Sequence, residues 1–117
     1  MLSRPHRLRS SKRIEKIKSQ GQRLDNKFLL LFWLKQEENL GPTRIAIIVS
    51  SRVGKQAVVR HKLKRRLREV VRTLLPSLRS GLDVVIITKP EVKKLDFTKL
   101  AQMVSQIFQQ AGLFIKL

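Results

Sequence analysis

Residues 58 to 75 read VVRHKLKRRLREVVRTLL, a stretch that carries two helical stripes of opposite character. At about 100° per residue, the apolar stripe covers an arc of roughly 120°. Its members are Val59, Leu63, Leu67, Val70, Val71 and Leu74. The opposite stripe, called the ridge, is basic and consists of His61, Arg65, Arg68 and Arg72, with Lys62 and Lys64 predicted to flank it. The spacing predicts one long helix from about Gln56 to Leu75, with its apolar stripe packed on a sheet and Pro76 limiting its end.

Three short apolar runs flank this helix and predict strands. Phe28 to Leu34 reads FLLLFWL and Arg44 to Val49 reads RIAIIV. The third run, Asp83 to Ile87, is followed by a Lys89-Pro90 break. Runs of this length and composition are typical of buried strands. We expect the first two runs to form an antiparallel pair, joined by a loop or hairpin over Gln36 to Pro42.

Two further helices complete the pattern. Ser10 or Ser11 can cap a helix over about residues 11 to 20, and Gly21 stands where its C-cap would lie. After Asp96, apolar residues recur at helical spacing as far as Ala111. The order is helix, strands, long helix, strand, helix, which predicts an α/β fold with helices packed on one sheet. We expect a basic arm over residues 1–10 that becomes ordered on binding, and a single domain over 11–117.

The net charge of the chain narrows the classes of partner that it can bind. The chain has 26 lysines and arginines against 8 acidic residues, for a formal net charge of +18. Self-repulsion of this size predicts a polyanionic partner, with nucleic acid ahead of an anionic membrane surface. The absence of cysteine excludes disulfides and thiolate sites. No apolar run reaches the roughly 20 residues of a membrane span, and no secretory signal is present, so we expect a cytoplasmic protein without a membrane partner.

The long helix is the predicted nucleic-acid site. From Arg52 to Arg72, nine lysines and arginines accompany one acidic residue, Glu69, whereas a solvated helix face normally mixes both signs. Backbone N–H groups at the start of the helix add an anion site. Neither histidine has the spacing of a metal site, and no catalytic side chain is predicted. The predicted RNA-binding residues are Arg52, Lys55, Arg60, His61, Lys62, Lys64, Arg65, Arg68 and Arg72.

Residues 60 to 68, RHKLKRRLR, resemble the RNxxKRxxR signature of the bacterial ribonuclease P protein subunit. The preceding residues 49 to 55, VSSRVGK, look like the lead-in of that family, as do residues 57 to 59. The resemblance extends over nearly the whole chain. Its other landmarks are Arg7-Leu8, the apolar strand ending near Leu34, the strand before Lys89-Pro90, and Asp96-Phe97 ahead of the last helix.

The resemblance implies a two-layer α/β (α+β) sandwich like the second domain of ribosomal protein S5. Its order is αβββαβα, with a left-handed βαβ crossover that departs from the general rule. The implied function is that of the protein subunit of ribonuclease P, which joins a catalytic RNA in removing the 5′ leader from precursor tRNA. The RNA carries out the magnesium-dependent hydrolysis and binds most of the magnesium, and the protein has no cofactor of its own.

The resemblance also implies a leader-binding cleft between the sheet and the first helix, to which Ile14, Lys18 and Phe32 are assigned. Two features depart from the family pattern. His61 stands where the signature has asparagine, and Ile14 and Lys18 occupy positions where the family commonly has aromatic residues. Leader binding is therefore expected to depend more on charge and apolar contact than on base stacking.

Two other functions compete with this interpretation. A ribosomal or ribosome-assembly protein without an enzymatic partner would share the charge and the fold class. A DNA-binding regulator would place the basic helix in a major groove, but no second helix forms a helix-turn-helix and the exposed ridge lacks base-reading Asn or Gln. DNA is therefore not an expected partner.

Overall fold

The computed structural model describes residues 6–37 and 41–115. Seven main elements follow the order αβββαβα. They are α1 (Ser11–Gln20), β1 (Gln22–Asp25), β2 (Leu29–Lys35), β3 (Arg44–Ile48), α2 (Ala57–Leu74), β4 (Leu82–Thr88) and α3 (Phe97–Gln110). Short 3-10 turns cover Leu75–Ser77 and Pro90–Lys94. The predicted helices and apolar strands are confirmed within two residues, and the long helix ends as expected just before Pro76.

The four strands form one sheet in the order β1-β2-β4-β3. The predicted antiparallel pairing of β2 with β3 is wrong, because β4 lies between them, antiparallel to β2 and parallel to β3. β4 takes this place because it is buried along nearly its whole length and can satisfy apolar contacts on both faces. The parallel β3–α2–β4 connection is present, and its left-handed sense stays a prediction.

Helices cover both faces of the sheet. The larger core forms between one face and the two long helices, and includes Leu67 and Val71 of α2 and Val104 and Phe108 of α3. A smaller core on the other face gathers around Ile17 of α1. The α/β sandwich class is thus confirmed, with α1 as a partial layer behind the sheet.

β1 is the strand that apolar patterning did not find. Its sequence, QRLD, has one apolar residue, and three of its four residues are exposed at the edge of the sheet. Backbone pairing with β2 sets its register, in which Gln22 lies opposite Trp33 and Asp25 lies opposite Leu30. A short polar edge strand leaves no hydrophobic period to detect.

A buried carboxylate ties α1 to the sheet. Asp83 on β4 is 0% exposed and accepts a 2.7 Å bond from Nε of Arg13 on α1. Arg44 on β3 donates from Nε and Nη2 at 2.8 and 2.7 Å, and Gln36 Nε2 donates at 3.2 Å. Burial raises the pKa of Asp83, but the bonds and charges of Arg44 and Arg13 outweigh it and hold that pKa below the ordinary value.

Residues 6–8 of the N-terminal segment pack on the domain. The basic arm over residues 1–10 that becomes ordered on binding stays a prediction. The N–H of Leu8 donates to the carbonyl of Ile45 at 3.1 Å, and His6 Nδ1 donates to the carbonyl of Thr43 at 3.0 Å. The Leu8 side chain is buried in the smaller core. β3 is an edge strand whose free backbone groups can pair with this segment, and the apolar Leu8 side chain favours burial. Arm residues 1–5 and loop residues 38–40 lie outside the described residues.

Gly21 is required at the end of α1 for steric reasons. Its φ of −76° suits any residue, but an added Cβ would lie 2.5 Å from the carbonyl oxygen of Ile17 and 2.6 Å from that of Trp33. We therefore expect Gly21→Ala to lower the free energy of unfolding by about 2 kcal/mol through overpacking. Urea denaturation measures this loss, with Ser19→Ala as an exposed control. If Gly21→Ala and Ser19→Ala were equally stable, the close approach of the two carbonyl oxygens to Gly21 would be contradicted.

Candidate nucleic-acid interface

α2 is buried at its C-terminal half and projects at its N-terminal half. Leu67, Val70 and Val71 are fully covered, whereas Val58 is 75% exposed and Val59 is 40% exposed. The prediction that the whole apolar stripe packs on the sheet is therefore wrong for Val59. The first turns of α2 therefore offer exposed surface to a partner.

The basic ridge forms on this projecting half. A depression of about 540 Å³ is lined by Val58, His61, Lys64, Arg65 and Arg68. His61 and Arg65 are exposed, and Lys64 and Arg68 are half-buried. Among residues 6–37 and 41–115, none of these four basic residues forms an ion pair. The depression thus brings one lysine and two arginines together with His61 around a concave surface.

Two predicted RNA-binding residues already have partners inside the protein. Arg72 donates from Nε to Glu69 at 3.2 Å and from Nη2 to the second carboxylate oxygen, a bond that lowers the pKa of Glu69. Arg60 donates from Nη1 to the carbonyls of Gly54 and Lys55 at 2.7 and 2.8 Å. Glu69 therefore partly neutralises Arg72, which makes Arg72 the ridge residue least available to a phosphate. Arg60 also holds the loop before α2 in place.

That loop presents Arg52 and Lys55 beside the start of α2, both exposed. Ser50 shapes it, because its Oγ accepts from the N–H of Arg52 at 3.2 Å and its carbonyl accepts from Val53 at 3.0 Å. No side chain caps α2 at Gln56. The Gln56 side chain therefore leaves the first-turn N–H groups uncapped, and the anion site predicted at this helix start stays a prediction.

The sequence placed Lys62 and Lys64 together as flanks of the ridge, and the structure separates them. Lys64 lines the ridge depression with Arg68. Lys62 lies on the opposite side of α2 beside Arg66, in a second surface that Val92 and Lys93 also line. Arg66 was not among the predicted binding residues, because helical spacing alone assigns it to neither stripe.

A cleft of about 310 Å³ lies between the N-terminal segment, α1, β3 and α2. Ile14 lines it, together with Lys64 and Arg68 from α2, and the leader-binding role assigned to Ile14 stays a prediction. Sequence reasoning missed Arg7 and Arg9, which also line it. Nε of Arg7 is buried there without a hydrogen-bond partner in the described structure. The sequence pointed to Arg7 and Arg9 only through the basic composition of their segment, because the packing of that segment on β3 arises from the tertiary fold.

Lys18 and Phe32 do not line this cleft. Lys18 is exposed on α1, and its Nζ lies 3.7 Å from Oε1 of Glu15. Phe32 is only 8% exposed, in the smaller core, and the guanidinium carbon of Arg23 sits 5.9 Å from its ring centroid. A leader nucleotide could reach the face of Phe32 only if Arg23 moved. The contact roles assigned to these two residues stay predictions.

Other kinds of site are missing from the described part of the chain. No group of three or more His, Cys, Asp or Glu side chains could hold a metal ion in residues 6–37 and 41–115. Over the same residues, no helix is long and apolar enough to cross a membrane.

The sequence profile described as Ribonuclease P matches residues 2–112, nearly the whole chain and all of this interface. The chain belongs to the ribonuclease P protein family. A family member from Symbiobacterium thermophilum, a ribonuclease P protein component, is 36% identical over 112 residues, which cover 96% of each chain. The ribosomal alternative is not favoured by this membership.

Solved structures of ribonuclease P proteins share the fold. The Thermotoga maritima protein superposes with a TM-score of 0.75 at 26% identity, covering 88% of this chain and 96% of that one. The Staphylococcus aureus protein gives a TM-score of 0.85 at 21% identity, covering 94% and 98%. The four-stranded sheet and three helices are thus the architecture of this family.

Proposed function

We propose that the chain binds the catalytic RNA of ribonuclease P through the ridge and assists removal of the 5′ leader from precursor tRNA. The observation that carries this proposal is a set of basic residues, Lys64, Arg65 and Arg68 with His61 beside them, around one depression on α2. None of the four has an ion-pair partner among residues 6–37 and 41–115. Like charges this close destabilise a free helix, and phosphates spaced along an RNA backbone would offset the repulsion. Membership of the ribonuclease P family supports RNA as the polyanion.

In this proposal the RNA carries the chemistry. Magnesium ions bound mainly by the RNA would activate water and stabilise the charge that develops at the scissile phosphate. The chain's own residues act by position and charge. The ridge and the exposed loop residues Arg52 and Lys55 neutralise phosphates, which lets two RNA segments approach each other with fewer free cations.

The leader is proposed to enter the cleft beside the ridge. Ile14 offers an apolar contact there, and Arg7, Arg9, Lys64 and Arg68 surround the entrance with positive charge. This composition suits an extended single strand, whose phosphates face cations while its bases lie against aliphatic groups. Lys64 and Arg68 line both surfaces, so the cleft and ridge would hold substrate and catalytic RNA side by side.

The direct test is reconstitution. Added to a bacterial ribonuclease P RNA, the chain is expected to restore precursor-tRNA leader cleavage at magnesium concentrations where the RNA alone is inactive. The physical reason is charge neutralisation by the ridge, which replaces part of the magnesium requirement. Cleavage rate against magnesium concentration is the measurement.

A matched control is a leaderless tRNA, which reports binding without cleavage. If the chain left the cleavage rate and the magnesium requirement of the RNA unchanged, the proposed function would be wrong. If the chain bound the precursor tRNA and the leaderless tRNA without changing the cleavage rate, an RNA-binding role outside ribonuclease P would be favoured.

A further inference from the structure

A second surface of α2 lies on the side away from the cleft. It is a groove of about 380 Å³ between the projecting half of α2 and the Pro90–Lys94 turn. Aliphatic side chains make its floor, with Val59 and Leu63 from the helix and Val92 and Leu95 from the turn region. Val92 belongs to the core, so the groove is an open extension of the larger core.

Cations surround this aliphatic floor. Lys62, Arg66 and Lys93 line the groove, and all three are exposed. None of them forms an ion pair within the described ranges 6–37 and 41–115. Glu91 lies nearby, but its carboxylate is bound by Lys94 at 2.7 Å. An occupant must therefore combine an apolar surface with negative charge.

The groove is continuous with the ridge. Val58, the most exposed large apolar residue of the described chain, lines both surfaces. Like-signed charge thus flanks α2 on two sides, separated by one exposed aliphatic side chain. A single polyanion lying across the projecting half of the helix would meet both sets of cations.

We propose that the groove receives an unstacked nucleotide of the RNA that binds the ridge. The base lies against Val59, Leu63 and Leu95, and the flanking phosphates contact the three rim cations. An RNA nucleotide combines a flat apolar face with negative charge on either side, which matches this composition. The inference rests on the proposed function, since it assigns a second contact to the same RNA.

The test uses the cysteine-free sequence, in which one introduced cysteine is a unique attachment point. A photoactivatable azide is attached at Lys93→Cys in the groove, at His61→Cys in the ridge, or at Gln110→Cys at the far end of α3. Each labelled protein is assembled with a bacterial ribonuclease P RNA and precursor tRNA and then irradiated. We expect crosslinks to discrete RNA nucleotides from positions 93 and 61 and none from position 110.

Each other outcome has a defined meaning. RNA crosslinks from position 61 without any from position 93 would overturn the groove assignment and leave the ridge intact. RNA crosslinks from neither position would overturn the proposed function itself. A crosslink from position 93 to another protein chain would show that the groove is a protein-docking surface and would also overturn the assignment.

Salt dependence gives a second readout on unlabelled protein. Arg66→Gln with Lys93→Gln should reduce the slope of log affinity against log salt by about 1.4, at roughly 0.7 per single-strand phosphate contact. The matched control, Lys35→Gln with Lys99→Gln, removes the same charge from exposed sites that do not line the groove. Equal slopes for the two double variants would mean that the groove cations do not meet phosphates.

Discussion

Replacing Asp83 by asparagine is expected to lower the free energy of unfolding by about 3 kcal/mol, because it breaks a buried ion pair from one side. Arg13 and Arg44 would keep their charges beside a neutral amide that cannot accept all of their bonds. The lost Arg13 contact would also loosen α1, which carries Ile14 at the cleft. Urea denaturation measures the stability, and leader affinity measures the effect on the cleft.

The same carboxylate predicts a pH dependence. The pKa of Asp83 lies lower in the folded chain than its ordinary value of 3.8, so its contribution is present above that value. The contribution declines as the pH falls below about 4 towards the folded-state pKa. Asp83→Asn should lose this part of the acid sensitivity.

Asp25→Asn is the control for Asp83. Asp25 forms its ion pair with Lys89 at an exposed position, 3.0 Å away, where water screens the charges. This variant should leave the unfolding free energy nearly unchanged. A similar loss for both variants would show that burial of the Asp83 network does not determine its strength.

Removing the ridge charges is expected to weaken RNA binding strongly while the fold persists. Arg65→Ala with Arg68→Ala should raise the dissociation constant for the catalytic RNA by roughly tenfold per lost charged contact, or about a hundredfold together. The salt slope should fall by about two units, since each lost phosphate contact removes nearly one. Filter binding across a salt titration measures both quantities.

A charge-matched control separates site from total charge. Lys35→Ala with Lys99→Ala removes two positive charges from exposed positions at the end of β2 and on α3. That variant should bind nearly as the parent does. A normal salt slope for the ridge variant, or an equal loss for the control, would mean that binding depends on net charge and not on the ridge.

His61 is a separate question within the ridge. It stands where the family signature has asparagine, and it lines the same depression as Arg65. An imidazole can still donate and accept hydrogen bonds, as an amide does, but from a ring of different reach. The structure therefore keeps a polar group at this position of the interface.

Much of the fold was predictable because it depends on local periodicity. The helices at Ser11–Gln20, Ala57–Leu74 and Phe97–Gln110 follow apolar repeats and end at caps or before proline. β4 and β2 appear as uninterrupted apolar runs. β1 could not be found this way, because a polar edge strand is defined by its partner.

The candidate site divides in the same way. Spacing placed His61, Arg65, Arg68 and Arg72 on one side of a helix. It could not show that Arg72 is paired with Glu69, since nothing in the sequence tells which i, i+3 neighbours will meet and which will face a partner. It also missed Arg7 and Arg9, which reach the cleft only because the N-terminal segment packs along β3.

The sequence by itself determined that α2 is a basic, amphipathic helix, and it predicted a polyanionic partner. Both follow from residue type and a period of about 3.6, which are local properties. The tertiary structure alone decided that the first turns of α2 are exposed, that Lys64 and Lys62 line different surfaces, and that β4 separates β2 from β3. These depend on which elements pack together, and packing joins residues far apart in the chain whose contacts no local pattern records.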